Sequence, residues 1–520
     1  MPGESAFLSS VYAPFCAMLP ITWLIVSLGV FKMQAYKACF LGLLGTMAIA
    51  FAGWDMPLPL LAGAALDGAV FAFLPILWVI LAAFFTYNIA IETKAIDHIK
   101  QLLSSISPDR RIQALLIAWG LGSFMEGVAG FGTAVAVPAA LLIALGFEPF
   151  LAAILCLLAN TIAVAFGVVG VPVTTLAQVT DLPLPLLSEA IIVQLTPFVF
   201  CVPALIVYCI TRSLSGLAEV WLPTLAAGGG FAVAQYFTAR YIGPELPAII
   251  GSLAALGATV VAVKIAPPKT IWTFADDSPE PARAEVPAIN VKSQLMAWSP
   301  YILLLVIVLC TSRLFPPVHS ALSSVRGAWL IYTGPGAKPF SIAWILTPGT
   351  LVMISAVLGG LIQGAGPARL FAIAGATARQ LGKTAVTIVC IVAMAKVLGY
   401  SGMVTSISVA LAASTGSFYA LVSPLLGMLG TFITGSDTSS NILFGQLQKE
   451  VAIKIGGDPV WMAAANTSGA CIGKLISPQS MAIAGIATGL TGREGDLLVA
   501  AMRYAGVFIV ALSLLVFFAA

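Results

Sequence analysis

Four ionisable side chains stand inside stretches that are otherwise apolar: Glu126, Lys396, Asp437 and Lys474. A charged residue costs about 2.5–3.5 kcal/mol at the centre of a spanning helix, so each of the four is a candidate for function. A carboxyl group can take up a proton on one side of a barrier and release it on the other, which suits Asp437 and Glu126 as proton carriers. An ammonium group beside opened backbone amides suits a carboxylate, which makes Lys474 and Lys396 the counter-charges expected for an anionic substrate. The competing reading for each lysine is a structural bridge to a carboxylate, or a side chain that reaches out to the membrane surface.

The segments that carry these residues break the hydrophobic pattern. Gly120 to Thr133 reads GLGSFMEGVAGFGT, and Leu429 to Asn441 reads LGTFITGSDTSSN. Glycine costs about 1 kcal/mol per helical position relative to alanine, and Ser, Asp and Asn prefer caps. In a membrane such segments exist only where protein or a water-filled cavity covers their backbone. The hydroxyls of Thr434, Ser436, Thr438 and Ser439, with Asn441, add neutral donors there. Close helix packing through small residues is the alternative use of the same composition.

These breaks recur. Gly122-Ser123-Phe124 and Gly127 return about 308 residues later as Gly430-Thr431-Phe432 and Gly435, and Ala159-Asn160-Thr161 returns as Ala465-Asn466-Thr467. Gly167 and Pro172 follow the first Asn-Thr at the spacing at which Gly473 and Pro478 follow the second, and Gly146 and Pro149 match Gly456 and Pro459. Duplication around interrupted hydrophobic segments marks a secondary transporter, with its substrate site at the repeat interface. Asn160, Thr161, Asn466 and Thr467 join the candidate ligands on this ground, although 48 glycines make glycine matches cheap.

The elements that must position these residues are membrane helices. Hydrophobic residues are 60% of the 520 positions and charged residues 9%, against about 25% charged in a soluble domain. Apolar runs of spanning length follow one another with short gaps, so the reading is an all-α polytopic membrane protein with roughly 12–14 transmembrane helices, two inverted repeats, and broken or re-entrant pieces. The net charge of +3 is too small and scattered for a nucleic-acid partner. Met1 to Ser10 lacks the positive region of a secretory signal. The eight cysteines stand singly, without a CxxC pair, and His98 and His319 are distant from each other, so no metal site, cofactor or catalytic constellation is expected.

Lysine and arginine set an orientation. Lys32 and Lys37 flank the first connection, and Lys94, Lys100, Arg110 and Arg111 crowd the stretch from Glu92 to Arg111, which places both in the cytoplasm and the N-terminus outside. Arg369, Arg379 and Lys383 are expected to anchor a cytoplasmic connection without meeting substrate. The counterpart of Glu92 to Arg111, Tyr400 to Tyr419, has no cation; Pro138 to Pro149 has none, whereas Gln446 to Pro459 has Lys449 and Lys454. Opposite bias in matching connections is what inverted repeats produce, provided Ile112 to Gly146 is one broken crossing and not a hairpin. The expected organisation is a first half at 1–265 with a repeat at about 88–180, a charged linker at 266–297 that includes Ala282 to Lys292, and a second half at 298–520 with a repeat at about 396–486.

With these residues in view, a family resemblance can be stated. SFMEGVAGFGTAVAVPAALLIALGF, LLANTIAVAFGVVGVPVTTLA, KVLGYSGM, FITGSDTSSNILFGQLQ and AAANTSGACIGKLISPQSMAIA resemble the lactate permease family of bacterial membranes over most of the chain. That resemblance implies import of L-lactate, D-lactate and glycolate together with protons across the bacterial inner membrane; composition and spacing alone reach only an anion transporter. The paired Asn-Thr motifs also resemble the ion transporter superfamily, which implies a scaffold and a transport domain moving as an elevator, commonly in a homodimer. Alanine precedes both asparagines, a departure from that superfamily's Ser-Asn-Thr pattern.

The resulting expectation is a proton-coupled carrier of small 2-hydroxycarboxylates, not an enzyme, with lipid as its surroundings. Its carboxylate would meet Lys474 or Lys396, its hydroxyl Asn160, Asn466 and nearby hydroxyls, and its proton Asp437 first and Glu126 second. Sodium-coupled transport of a dicarboxylate is the first alternative, and an intramembrane enzyme or a proton-conducting subunit of a larger complex the second.

Overall fold

The computed structural model describes residues 12–27, 31, 33–130, 132–274, 290–311, 315–337, 339–490 and 493–520. Lys32, the N-terminal stretch Met1 to Ser10 and residues 275–289 of the charged linker lie outside them. Nine of the described helices are long and apolar enough to cross a membrane, or ten if the bent pair Pro459–Ile476 and Pro478–Thr488 is one span. Three apolar helices are shorter: Ala13–Leu24, Thr133–Ala144 and Pro348–Ile362. The dozen or more apolar runs in the sequence thus include pieces too short or too bent to cross alone. The protein is a multi-pass helical membrane protein, and among the described residues its one departure from all-α is an antiparallel hairpin, β1 (Arg326–Trp329) with β2 (Phe340–Ala343).

Two re-entrant hairpins and two broken helices build the centre. Asp109 caps the first turn of Arg110–Ala114. A seven-residue π stretch, Leu115–Leu121, then leads into α2 (Gly122–Val128), where α1 denotes the earlier helix Leu58–Phe71. The chain reverses and returns as α3 (Thr133–Ala144). Gly122 faces the carbonyl of Ala134 and the ring of Pro138, so α3 runs back along the segment that precedes it. Ile112 to Gly146 is therefore a hairpin, and Pro149 starts on the side from which Ile112 set out. This removes half of the charge evidence for inversion, because the cation-free stretch 138–149 shares a side with the cationic stretch 92–111.

The next segment, α4 (Pro149–Ala163), is interrupted before α5 (Gly167–Thr180). Val168, Val169 and Gly170 are consecutive left-handed residues with φ of 47°, 55° and 75°. A β-branched residue there is strained by about 1–3 kcal/mol and persists only where packing holds it. Here all three are buried, and Gly170 lies against the backbone of Pro244.

The second half repeats these elements after α6 (Gly382–Ser401). The hairpin is α7 (Tyr419–Thr434) and α8 (Asp437–Ile455); the Tyr419 hydroxyl donates to Gln448 Oε1 at 2.7 Å and Ser440 Oγ donates to the Gly427 carbonyl at 2.9 Å. The broken helix is α9 (Pro459–Ile476) and α10 (Pro478–Thr488), bent by 41° at Ser477. Gly427 packs on the Asn466 backbone and Gly469 on that of Pro424, so α7 and α9 touch main chain to main chain, as small residues permit in a membrane.

The root of the first hairpin is fixed by one buried cation. Arg111, fully buried, pairs with Asp109 at 2.8 Å and Glu219 at 2.9 Å and donates to the carbonyls of Gly216 at 3.0 Å and Thr270 at 2.9 Å. Hydrogen bonds from Thr270 and Arg111 hold the Glu219 carboxyl below the usual glutamate range. Its contribution is therefore complete at neutral pH and is lost only in acid, as pH falls through that lowered value. Arg111→Met leaves Asp109 charged and buried, and should cost about 3–5 kcal/mol; thermal unfolding of the detergent-solubilised protein measures this, and Glu219→Gln, at a half-exposed partner, should cost much less.

Candidate functional site

The tip of the second hairpin is a helix start aimed into the protein. Ser436 is extended and its hydroxyl accepts the Ser439 amide at 3.3 Å, so α8 begins at Asp437 with its first amides directed at the tip. Gly435 makes the turn with φ of 72° and lies against Gln479, which leaves no room for a side chain. Lys474, in the last turn of α9 before the bend, donates to the Gly435 carbonyl at 2.6 Å. Asp437 is 3% exposed; Cys471 Sγ lies 3.8 Å from its Oδ2, and its Oδ1 has no protein partner among the described residues.

Glu126 reaches the same place from the first hairpin. It is 3% exposed, and a methyl group at Gly167 would sit 2.7 Å from its Oε1, so the absence of a side chain in the first break lets the carboxylate occupy its position. Lys474 acts electrostatically on both carboxylates. All three line one cavity of about 530 Å³, with Thr434, Ser436, Thr438 and Ser439 on its wall. Two carboxylates and the Lys474 ammonium, with the starts of α8 and α10 open to the same space, form a setting for a small anion and a proton.

Other candidates lie elsewhere. Asn441, Asn466 and Thr467 form a layer behind the cavity: Asn441 Oδ1 accepts from Asn466 Nδ2 and Thr467 Oγ1, both at 2.9 Å, and Asn441 Nδ2 donates to the Pro172 carbonyl at 3.1 Å. Gln448 Nε2 donates to Asn466 Oδ1 at 3.1 Å. Their hydrogen bonds join α5, α8 and α9 and none of the three lines the cavity, so the direct substrate contacts expected of them are not what this structure displays. Thr161 donates to the Leu157 carbonyl of its own helix at 3.1 Å. Asn160 is 1% exposed beside Glu126, with neither amide atom in a well-formed hydrogen bond.

Lys396 is not brought to Lys474. It is ion-paired with Asp67 Oδ2 at 3.0 Å, over the rings of Phe71 and Tyr400, and lines a second cavity of about 500 Å³. Lys383, expected to anchor a loop, lines the first cavity with Thr384, Thr387 and Gln479. The lysine was missed because its position at the start of an apolar helix also fits an interfacial anchor; Gln479 had a usable signal, directly after the repeated proline of the break. Arg369 pairs with Glu92 at 2.7 Å, away from both cavities.

Sequence comparisons with known proteins extend over most of the chain. The family model described as L-lactate permease matches residues 14–520. The L-lactate permease of Streptococcus iniae is 41% identical, covering 89% of this chain and 95% of its own. That of Bacillus subtilis strain 168 is 38% identical over 92% and 91%. The glycolate permease GlcA of Escherichia coli K12 is 34% identical over 95% and 93%. Among solved structures, Neisseria gonorrhoeae MtrF has a TM-score of 0.45 at 14% identity, covering 87% of this chain and 82% of that one.

The hydrogen-bonded layer and the cavity wall differ in a measurable way. Asn441→Ala strands two buried donors and frees the Pro172 carbonyl, and should cost about 2–3 kcal/mol in thermal unfolding. Thr438→Ala, at the cavity, should stay within about 0.5 kcal/mol.

Proposed function

Since this chain belongs to the L-lactate permease family, we propose that it carries L-lactate and related 2-hydroxymonocarboxylates, among them D-lactate and glycolate, across the bacterial plasma membrane together with protons. The observation that carries this reading is the meeting of Lys474, Asp437 and Glu126 in one cavity at the junction of the two repeats. The substrate carboxylate lies against the Lys474 ammonium and the first amides of α8, and the 2-hydroxyl is held by the hydroxyls of Thr434, Ser436, Thr438 or Ser439.

The charges of the site support proton coupling. With both carboxylates ionised and Lys474 and Lys383 protonated the cavity is neutral, and a monoanion would leave it with one net negative charge. One proton on Asp437 or Glu126 restores the original charge. It also cancels the cost of moving a monoanion against an interior-negative potential, about 2.3 kcal/mol per 100 mV. Asp437 is the first carrier because it stands at the hairpin tip beside the ligand hydroxyls, and Glu126 the second. No nucleophile or metal takes part in this reading, which is one of transport without chemical change.

One observation favours sodium as an alternative coupling ion: the amide of Asn160 beside Glu126 lacks well-formed hydrogen bonds and could ligate a cation. Uptake of labelled L-lactate into liposomes, driven by a pH gradient in sodium-free buffer, separates the two. Accumulation competed by D-lactate and glycolate is expected; uptake that requires sodium and ignores the pH gradient would overturn proton coupling.

In the same liposomes, Asp437→Asn should abolish gradient-driven accumulation while leaving equilibrium binding within about threefold. Lys474→Gln should weaken binding itself by about tenfold or more, the effect of one charge-assisted contact.

A further inference from the structure

The cavity at Lys396 is nearly as large as the first and is related to it by three shared helices. Thr387 and Ile388 of α6 line the first cavity, and Val392, Lys396 and Tyr400 the second. On α8, Asp437 to Ser439 face the first, while Ile442, Gln446 and Lys449 face the second. On α5, Pro172 belongs to the first, and Gln178 and Val179 to the second. Between the lining residues of the two cavities the rise is about 5 Å on α8 (Ser439 to Ile442), about 6 Å on α6 (Ile388 to Val392) and about 9 Å on α5 (Pro172 to Gln178), so the partition is one to two helical turns, and the hydrogen bond from Asn441 to Pro172 lies within it.

Within the second cavity a carboxylate is already bound, and it belongs to the protein. Asp67, on α1 and 3% exposed, accepts with the same oxygen, Oδ2, from Lys396 Nζ at 3.0 Å and from the Tyr400 hydroxyl at 3.0 Å. Lys396 keeps 27% of its side chain exposed, toward the cavity, so its ammonium has donors left for a second acceptor. An ammonium and a phenol converging on one carboxylate oxygen form a carboxylate-recognition pair. Lys449 lines the same cavity, donating to the Thr180 carbonyl at 2.5 Å, and Gln178 and Gln446 supply amides that suit a hydroxyl.

We propose that this cavity is a second binding station for a small 2-hydroxymonocarboxylate, where Lys396 and Tyr400 hold the substrate carboxylate and Asp67 occupies that position until substrate displaces it. The inference rests on the transport reading above and extends it: substrate pauses on both sides of the Asn441 partition, at Lys474 on one and at Lys396 on the other. The Tyr332 ring stacks on Tyr400 at 3.9 Å between centroids, and Phe340 of β2 meets Phe71 edge-on, so the segment bearing β1 and β2 covers the station.

Equilibrium binding of labelled L-lactate to the purified full chain tests it. In Asp67→Asn the second station should tighten by about tenfold, the effect of freeing one charge-assisted contact, and two lactates should bind per chain. Adding Lys396→Gln should return the stoichiometry to one, whereas adding Lys474→Gln to Asp67→Asn should remove only the other site. Unchanged stoichiometry and affinity in folded Asp67→Asn would overturn the inference. Should Asp67→Asn not fold, Tyr400→Phe keeps the ion pair; it should weaken the lower-affinity site by about threefold or more, and no change there overturns the inference equally. Absence of lactate binding in wild type and every variant would instead sink the substrate reading on which it rests, whereas one site lost with Lys474→Gln and insensitive to Asp67 and Lys396 would sink this inference alone.

Discussion

An ammonium group buried between apolar helices must be matched by opposite charge, and the centre of this protein is arranged around that requirement at Lys474. Its position in the last turn of α9 is set by the break at Ser477, and it donates to the Gly435 carbonyl at the hairpin tip. Asp437 begins the helix after that tip, and Glu126 arrives from the opposite hairpin through space left by Gly167. Three distant stretches of chain thus meet at one charge. A membrane helix that ends halfway leaves amides and carbonyls unmet, and the cavity at the junction is where those ends face each other instead of lipid.

Much of this was legible from residue types. Glu126, Asp437 and Lys474 could be picked out because an ionisable group in an apolar run has few structural uses, and the hydroxyls around Ser436 because serine and threonine at a glycine turn cap helices. Pairing could not be read. Lys396 shows the same sequence signal as Lys474, yet its partner Asp67 lies more than 300 positions earlier on α1. Asn466 looked like a ligand because its motif recurs, and Asn441 because it stands in the helix-breaking segment, but two amides facing one another satisfy themselves. The reversal after Val128 was also hidden, since glycines allow either a hairpin or a broken crossing; the contact of Gly122 with Ala134 and Pro138 decides it.

The two halves are alike in outline and different in chemistry. In the second, Asn466 is locked by Asn441 and Gln448, and the break carries a lysine. In the first, the matching Asn160 has no well-formed hydrogen bond, and the kink is made by three left-handed residues. The counter-charge and hydroxyls proposed to meet the substrate fall largely on the second repeat. The first retains a strained turn and an amide beside a carboxylate, features suited to a small mobile charge.

The thinness of the partition at Asn441 has an electrical consequence. Where aqueous cavities approach a barrier from both sides, the membrane voltage no longer falls evenly over the full bilayer but concentrates across what remains dry. Here that layer is one to two helical turns, about 5–9 Å, so with water in both cavities a charge displaced by that distance would experience most of the transmembrane potential. The neutral amides around Asn441 would then leave nearly the full electrical work of a crossing to the ion that passes them.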